Sequence, residues 1–135
     1  MLCQVLRRLC ILYDIDIEYV DEPLVVQVGN RVLMAEGTTS RGILDDCAWI
    51  IKVTDLDAWD TTTFTSIHEI AHVMLEEHHM RQSEVVCDLV AYGIMRHFNT
   101  DISPMHVEEV CEYNASVLRD CVDDAVMLIN MIGGE

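Results

Sequence analysis

Apolar residues at the start of the chain recur every three or four positions. Leu2, Leu6 and Leu9 show this spacing, and the two arginines between Leu6 and Leu9 fall outside the apolar stripe. Because residues three and four apart share one face of an α-helix, the segment 2–13 is predicted to form an amphipathic helix.

The pattern then changes to short runs that are typical of β-strands. Gly29-Asn30, a common hairpin turn sequence, separates two of these runs. The chain is therefore predicted to contain three or four strands, antiparallel at least in part. The β-rich runs lie at 17–20, 25–28, 32–35 and 48–53.

Helical spacing returns in the second half of the chain. Candidate N-caps precede each segment: Asp60 with Thr61–Thr63, then Gln82 or Ser83, then Ser103 followed by Pro104. The predicted limits are 60–77, 82–98 and 104–132, with a division near 114–116. Together with the strands, they predict one α+β domain over 1–135. In it, a small twisted, mostly antiparallel sheet of three to four strands packs against helices.

The charge balance restricts the partners of this chain. It has 24 Asp and Glu residues against 8 Lys and Arg, a formal net charge of -16. Such a surface repels phosphate backbones and anionic lipids, so direct binding to nucleic acid or to a membrane is disfavoured. A basic protein partner is favoured, although high negative charge also serves solubility alone.

The cysteines and the N-terminus indicate a reducing compartment. Six cysteines are scattered without C-x-x-C spacing, as expected of buried free thiols. Only five apolar residues separate Arg8 from Asp14, too few for the core of a signal peptide. A cytoplasmic location is predicted, and no run approaches the roughly 18 apolar residues of a membrane span.

The segment HEIAH at 68–72 matches the zinc-binding pattern H-E-x-x-H. Residues four apart share one helix face, so His68 and His72 can converge on one Zn²⁺ ion. Zinc activates water and polarises a carbonyl, and Glu69 is then the general base that takes the proton. This arrangement predicts hydrolysis of an amide bond.

The surroundings of the motif support a metal site over a chance match. Phe64, Ile67, Ala71 and Leu75 form an apolar stripe on the same predicted helix. The motif therefore lies on a helix that is half-buried against a core, as a metal site with a dry surround requires. Two core-facing histidines without a metal would need other polar partners.

A third protein ligand is needed, and Glu84 is one candidate. It lies on the next predicted helix, which a short turn would fold back towards His72. Asp88, four residues later on the same face, would then hydrogen-bond a ligand histidine and fix its tautomer. In the alternative interpretation, Glu84 is a solvated carboxylate favoured by the helix dipole.

His78 is the other candidate for third ligand. It lies six residues after His72, as in the longer H-E-x-x-H-x-x-G-x-x-H pattern. That pattern has a glycine where this chain has Leu75, and a bulky residue resists the left-handed turn. Otherwise His78 belongs to the exposed end of the helix.

Three further side chains near the motif are candidate hydrogen-bond donors to a developing oxyanion: Tyr92, His79 and His97. Tyr92 also fits simple packing in an apolar helix. Cys87 beside Asp88 is a conceivable thiolate ligand, but a buried helical cysteine is usually inert. The C-terminal segment carries more apolar residues than one stripe needs, which indicates either a helix buried on two sides or a face for a homodimer or another partner.

The stretch from Ala48 to Met95 resembles the ImmA/IrrE family of small bacterial and phage metallopeptidases. The resemblance is carried by the strand AWIIKV, the helix FTSIHEIAHVML and the downstream segment SEVVCDLVAYGIM. It implies a strand, an H-E-x-x-H helix and a second helix, with Glu84 matching the family's Glu ligand. The chain departs from the family pattern at Val86 and at Asp88, where a second acid and an Asn are common.

The resemblance also implies a function. Family members with known roles resemble site-specific proteases that cleave helix-turn-helix repressors and release mobile-element or stress-response genes. The substrate backbone is expected to lie along an edge strand above the zinc. A basic, repressor-like protein substrate is consistent with the charge of -16.

Two function classes compete at this point. The leading hypothesis is a zinc-dependent endopeptidase of narrow specificity. The alternative is a metal-containing but non-proteolytic binding module that sequesters a basic protein. Glu69 favours catalysis, because a binding module has no use for a general base beside the first ligand. An acidic protein that mimics DNA is a third class, for which charge is the only argument.

Overall fold

The computed structural model describes residues 2–42, 47–55 and 59–133. Among these residues, one helix and then five strands come first, and four helices follow. In chain order the elements are α1 (Leu2–Tyr13), β1 (Ile15–Val20), β2 (Leu24–Val28), β3 (Arg31–Ala35), β4 (Gly37–Arg41), β5 (Trp49–Thr54), α2 (Trp59–Glu77), α3 (Glu84–His97), α4 (Pro104–Cys111) and α5 (Ala115–Gly133).

Two separate β-structures are present, and they confirm the predicted α+β class. A three-stranded sheet has the order β1-β5-β4, in which β1 and β5 are parallel and β4 and β5 are antiparallel. The strands β2 and β3 form an antiparallel two-stranded ribbon. Two of the three pairings are antiparallel, as predicted.

The strand β4 was not predicted from the sequence. Its residues, GTTSR, contain no apolar side chain and therefore give no alternation of buried and exposed positions. The strand forms because its main chain pairs with β5 and its inner side lies against α2. It occupies one edge of the three-stranded sheet.

The helix limits largely agree with the predictions. The Ser83 side chain accepts a hydrogen bond from Val86 N, and Ser103 likewise caps α4, which begins at Pro104. The predicted caps of α2 are wrong, because that helix begins at Trp59 and already contains Asp60 and Thr61–Thr63. The residues just before it, 56–58, lie outside the described part, as does a section of the predicted polar break at 55–60.

The helix α2 is the centre of the core and positions the candidate site. It packs against β4 and β5 on one side and against α3 on another. Ile67, Ile70 and Met74 on this helix are fully buried. A helix held on several sides keeps its remaining polar side chains in fixed directions, which a metal site requires.

The last helix covers α3. Leu128 and Ile132 of α5 are fully buried against the core, whereas Val122, Val126 and Met127 are exposed. The helix is therefore buried on one face, and the homodimer stays a prediction. No helix in the described ranges combines the length and apolar character needed to cross a membrane.

The cysteine prediction is only partly correct. No disulfide is present among the described residues, and Cys87 is fully buried. Cys3 and Cys111 are exposed, because each lies on the outer face of its helix. Those two are not the buried thiols that the sequence suggested.

Candidate metal centre

Three ligand atoms from α2 and α3 converge at the mouth of a cleft. The Nε2 atoms of His68 and His72 lie 3.2 Å apart, and Glu84 Oε2 lies 2.8 Å from the first and 2.9 Å from the second. The two histidines are one turn apart on α2, and Glu84 is the first residue of α3. The short connection through Gln82 and Ser83 thus folds Glu84 back onto the histidines, as the sequence suggested.

These spacings suit a single metal ion. A tetrahedral Zn²⁺ with bonds of about 2.0–2.2 Å has ligand atoms about 3.3–3.6 Å apart. Small outward movements of three side chains would bring the observed triangle to that size. Glu84 can make such a movement, since its side chain is 72% exposed.

A carboxylate and a phenol hold His68 in place from behind. The Nδ1 atom of His68 donates a hydrogen bond to Asp88 Oδ1 at 2.7 Å, and the other carboxylate oxygen accepts one from Tyr113. The contact with Asp88 fixes the tautomer, so that the lone pair of His68 is on Nε2, which faces the cleft. Asp88 was predicted in this role, whereas Tyr113 was missed.

An amide performs the same task for His72. Its Nδ1 atom donates to Gln82 Oε1 at 2.7 Å, and Gln82 Nε2 donates to the main-chain oxygen of His72 at 2.9 Å. This two-point contact fixes both the ring and its tautomer. From the sequence, Gln82 was predicted only as a helix start, because its contact with His72 depends on how the chain folds back before α3.

The electrostatics of the three side chains favour an ionised carboxylate. Burial lowers the pKa of His68, but hydrogen bonds with Asp88 and Glu84 outweigh it and raise the pKa to about 10. Burial also lowers the pKa of His72, but hydrogen bonds with Cys87 and Glu84 outweigh burial and raise the pKa to about 10. The two histidines hold the pKa of Glu84 far below its usual range. Protons therefore compete with a metal for the histidines.

Replacing Asp88 with alanine should weaken zinc binding by about 10–100-fold, the usual cost of losing such a supporting contact. The reason is that His68 would lose the acceptor that fixes its tautomer. Competition with a chromogenic chelator measures the change. Asp123→Ala, an exposed Asp on α5, is the matched control. Equal affinities for the two variants would contradict the role of Asp88.

Glu69 lies beside the triangle and has one free oxygen. Its Oε1 atom accepts a hydrogen bond from Thr39 Oγ1 at 2.7 Å, and its Oε2 atom lies 3.7 Å from His68 Nε2. The side chain is only 9% exposed. Thr39 thus orients the carboxylate, and the second oxygen faces the space next to the ligand atoms. The threonine comes from β4, the strand that the sequence did not predict.

Gly37 allows β4 to approach Glu69 closely. A Cβ atom at this position would lie 2.7 Å from Thr65 Cγ2 and 3.0 Å from Glu69 Cγ. Real Cβ atoms essentially never make contacts as short as 2.7 Å, so an added methyl group would displace the strand or the carboxylate. The glycine is therefore a requirement of the site geometry.

If Glu69 acts as a general base, the variant Gly37→Ala should lower the rate of hydrolysis by about 10–100-fold, since such losses follow from a displacement of about 1 Å. Its zinc content should not change, because no residue of β4 is a proposed metal ligand. Thr38→Ala, the next residue on the same strand, is the control. Loss of zinc from Gly37→Ala, or hydrolysis at the wild-type rate, would show that Gly37 does not act by positioning Glu69.

Cys87 forms a second possible ligand group with the two histidines. His68, His72 and Cys87 could hold a metal ion, since their ligand atoms all lie within 4.8 Å of one another. From the sequence, Cys87 was interpreted as an inert buried cysteine. Burial raises the pKa of the thiol, although His72 lowers it. Glu84 Oε2 lies within 2.8 and 2.9 Å of the two nitrogens, and we favour Glu84 as the third ligand.

The remaining candidates lie away from the triangle. His78 Nε2 is 2.7 Å from Tyr13 Oη on α1, because α2 continues without a turn past Leu75 to Glu77. His97 packs edge-on against Phe98 at the far end of α3. His79, with a φ of 55°, follows the end of α2. Tyr92 packs against the apolar core and lines neither cleft beside the ligands.

Two clefts flank the triangle and share Glu69 and Glu84 as walls. The first, of about 450 Å³, follows β4 along Thr39, Ser40 and Arg41. The second, of about 290 Å³, lies on the His68 side. His106, which was missed, lines the second cleft; it stacks on Phe64 with ring centroids 4.0 Å apart. His72 lines the first cleft and His68 the second, and the two clefts together are called the groove below.

No family model, curated protein or solved structure matches this chain. The chemistry of the site therefore has to be argued from its own residues. Those residues combine a ligand triangle, two supporting contacts and an oriented carboxylate.

Proposed function

We propose that this chain is a zinc-dependent endopeptidase of narrow specificity. One observation carries the proposal: Glu69 Oε2 lies 3.7 Å from His68 Nε2, next to the point where His68, His72 and Glu84 converge. A general base at this place has a task in hydrolysis and none in simple binding.

The proposed metal ligands are His68, His72 and Glu84, and two imidazoles with a carboxylate suit Zn²⁺ best. Bound zinc would supply the Lewis acid that activates water and polarises the carbonyl of the scissile bond. Three protein ligands also leave a coordination position open, as catalytic zinc sites do.

The protein residues have separate tasks in this proposal. Glu69 accepts the proton of the attacking water on Oε2 and later returns it to the leaving amine. Thr39 keeps the carboxylate in this orientation by donating to Oε1. Asp88 and Gln82 hold the two imidazoles so that neither can rotate away from the ligand position.

The groove supports an extended polypeptide as the substrate. The strand β4 forms a sheet edge, and an extended peptide can add to such an edge by main-chain hydrogen bonds. The first cleft follows this strand to Glu69 and His72. Its carboxylates and the overall charge of -16 favour a basic substrate. We also propose that the substrate is a helix-turn-helix repressor, that the protein acts in the cytoplasm and that the chain belongs to the ImmA/IrrE family.

Metal analysis and a cleavage assay test the proposal together. We expect about one zinc per chain by elemental mass spectrometry, and loss of the metal in His72→Ala. The zinc-loaded protein should cleave members of a quenched-fluorescent peptide library, and a chelator should stop the cleavage. Absence of zinc after zinc is added back would overturn the proposal. Zinc without cleavage would favour the non-proteolytic binding module.

A further inference from the structure

The ribbon β2–β3 carries an exposed apolar face. Val25 is paired with Met34, and Gln27 with Val32, so these four side chains share one face of the ribbon. Val25 is 65% exposed, Val32 67% and Met34 72%. Neighbouring exposed apolar side chains on a protruding ribbon usually mark a binding surface.

This face leads directly into the second cleft. Met34 lines that cleft together with His68 and Glu69. Glu36 follows at the end of β3, and its carboxylate accepts a hydrogen bond from Thr65. A chain that lay on the ribbon would therefore pass over Met34 and reach the ligand triangle without leaving the surface.

The cleft beyond Met34 is acidic. Glu36 and Glu109 line it with the carboxylates of the site, and no Lys or Arg is among its described lining residues. His106 holds the pKa of Glu36 below its usual value. Burial raises the pKa of Glu109, and the neighbouring Asp88 and Glu36 carboxylates raise it further, against an opposing effect of His106. Glu36 Oε2 lies 3.3 Å from His106 Nε2, and a cationic side chain that entered the cleft would be attracted by both the Glu36 and the Glu109 carboxylates.

We propose that the ribbon face and the acidic cleft bind one extended segment of the protein substrate, with apolar side chains on the ribbon and an arginine or lysine in the cleft. Met34, which is 72% exposed, offers an apolar contact for the stem of the basic side chain, and Glu36 and Glu109 receive its charge. That the occupant is a substrate rests on the proposed function. The docking chemistry is the same for a partner that is bound and not cleaved.

A second copy of this chain fits the surface less well. Each copy carries a net charge of -16, and Arg31 is the one basic residue of the ribbon. Two copies would bring their acidic clefts together, which costs electrostatic energy. A segment with apolar and basic residues is complementary to both parts of the surface.

Binding of labelled peptides tests the docking surface separately from catalysis. We would use the zinc-loaded Glu69→Gln protein and three fluorescein-labelled peptides in one Gly/Ser frame. The first contains two valines and an arginine, the second has Glu in place of Arg, and the third has Ser in place of Val. By fluorescence anisotropy the first should bind about tenfold more tightly than either of the others.

Matched substitutions assign each preference to its residues. Val25→Thr with Val32→Thr should remove the preference for valine, whereas Val126→Thr, an exposed valine of α5, should not. Glu109→Gln should reduce the preference for arginine, whereas the exposed neighbour Glu108→Gln should retain it. Circular dichroism and thermal melting check that the variants remain folded.

The outcomes separate this inference from the proposed function. Cleavage by the zinc-loaded wild type without a preference for valine and arginine would overturn the docking surface and leave the peptidase intact. The binding preferences without any cleavage would support the docking surface and reject the peptidase. A dimer in light scattering that Val25→Thr with Val32→Thr dissociates would assign the ribbon to a second copy and overturn the inference.

Discussion

Replacing Glu69 with glutamine is expected to lower peptide hydrolysis by about 10²–10⁴-fold, the usual contribution of a general base. Glutamine has nearly the same size and can still contact Thr39, but its amide cannot take a proton from water. The carboxylate is only 9% exposed and is held at Oε1 by Thr39, so its orientation towards the ligand atoms is fixed. The initial rate on a library-derived fluorogenic peptide measures the loss.

Zinc content separates this explanation from a damaged site. Glu69 is not a proposed ligand, so Glu69→Gln should retain about one zinc per chain. Glu108→Gln on α4 is the control, because its carboxylate is exposed and lines neither cleft. Activity of Glu69→Gln equal to that of Glu108→Gln would exclude Glu69 as the base.

The fold was predictable wherever burial leaves a pattern in the sequence. The helix α1 repeats apolar residues with the helical period, the strand β5 is a short run of apolar and β-branched residues, and both were predicted. The strand β4 has no such pattern, since it is held by main-chain pairing at a sheet edge. It nevertheless supplies Thr39 and the close approach at Gly37, which shape the site.

The site was predictable where its geometry is local. The spacing of His68 and His72 fixes their common helix face, and the short connection after α2 made Glu84 a reasonable partner. Gln82 and Tyr113 could not be assigned in the same way. Their contacts depend on how α3 and the turn before α5 pack, and a polar residue near a helix end has many other reasons to be there.

The third ligand is the assignment on which the remaining chemistry depends, because Glu84 and Cys87 predict different metal centres. A carboxylate ligand at the mouth of the groove leaves the buried thiol as packing. A thiolate ligand would instead draw the metal towards the interior and change its position relative to Glu69, since Cys87 is fully buried and Glu84 is 72% exposed.

The variant Glu84→Gln should lower zinc affinity by more than the roughly 10–100-fold that a lost supporting contact costs. It removes the negative charge and leaves a neutral amide oxygen, which is a weaker ligand, and the exposed position of residue 84 argues against unfolding as the cause. Loss of the helix-dipole interaction at the first residue of α3 costs only about 0.3–1 kcal/mol. Competition with a chelator gives the affinity, and thermal melting of the zinc-free protein checks the fold.

Cys87→Ala is the decisive comparison for Glu84→Gln. It should keep the wild-type zinc affinity, because removing one buried sulfur costs stability by opening a small cavity and removes no ligand. With Co²⁺ in place of zinc, the wild type should lack a thiolate-to-cobalt charge-transfer band. A strong band that disappears in Cys87→Ala, together with normal affinity in Glu84→Gln, would establish His68, His72 and Cys87 as the centre. The metal would then lie deeper in the core, and the case for Glu69 as its general base would fail with the Glu84 assignment.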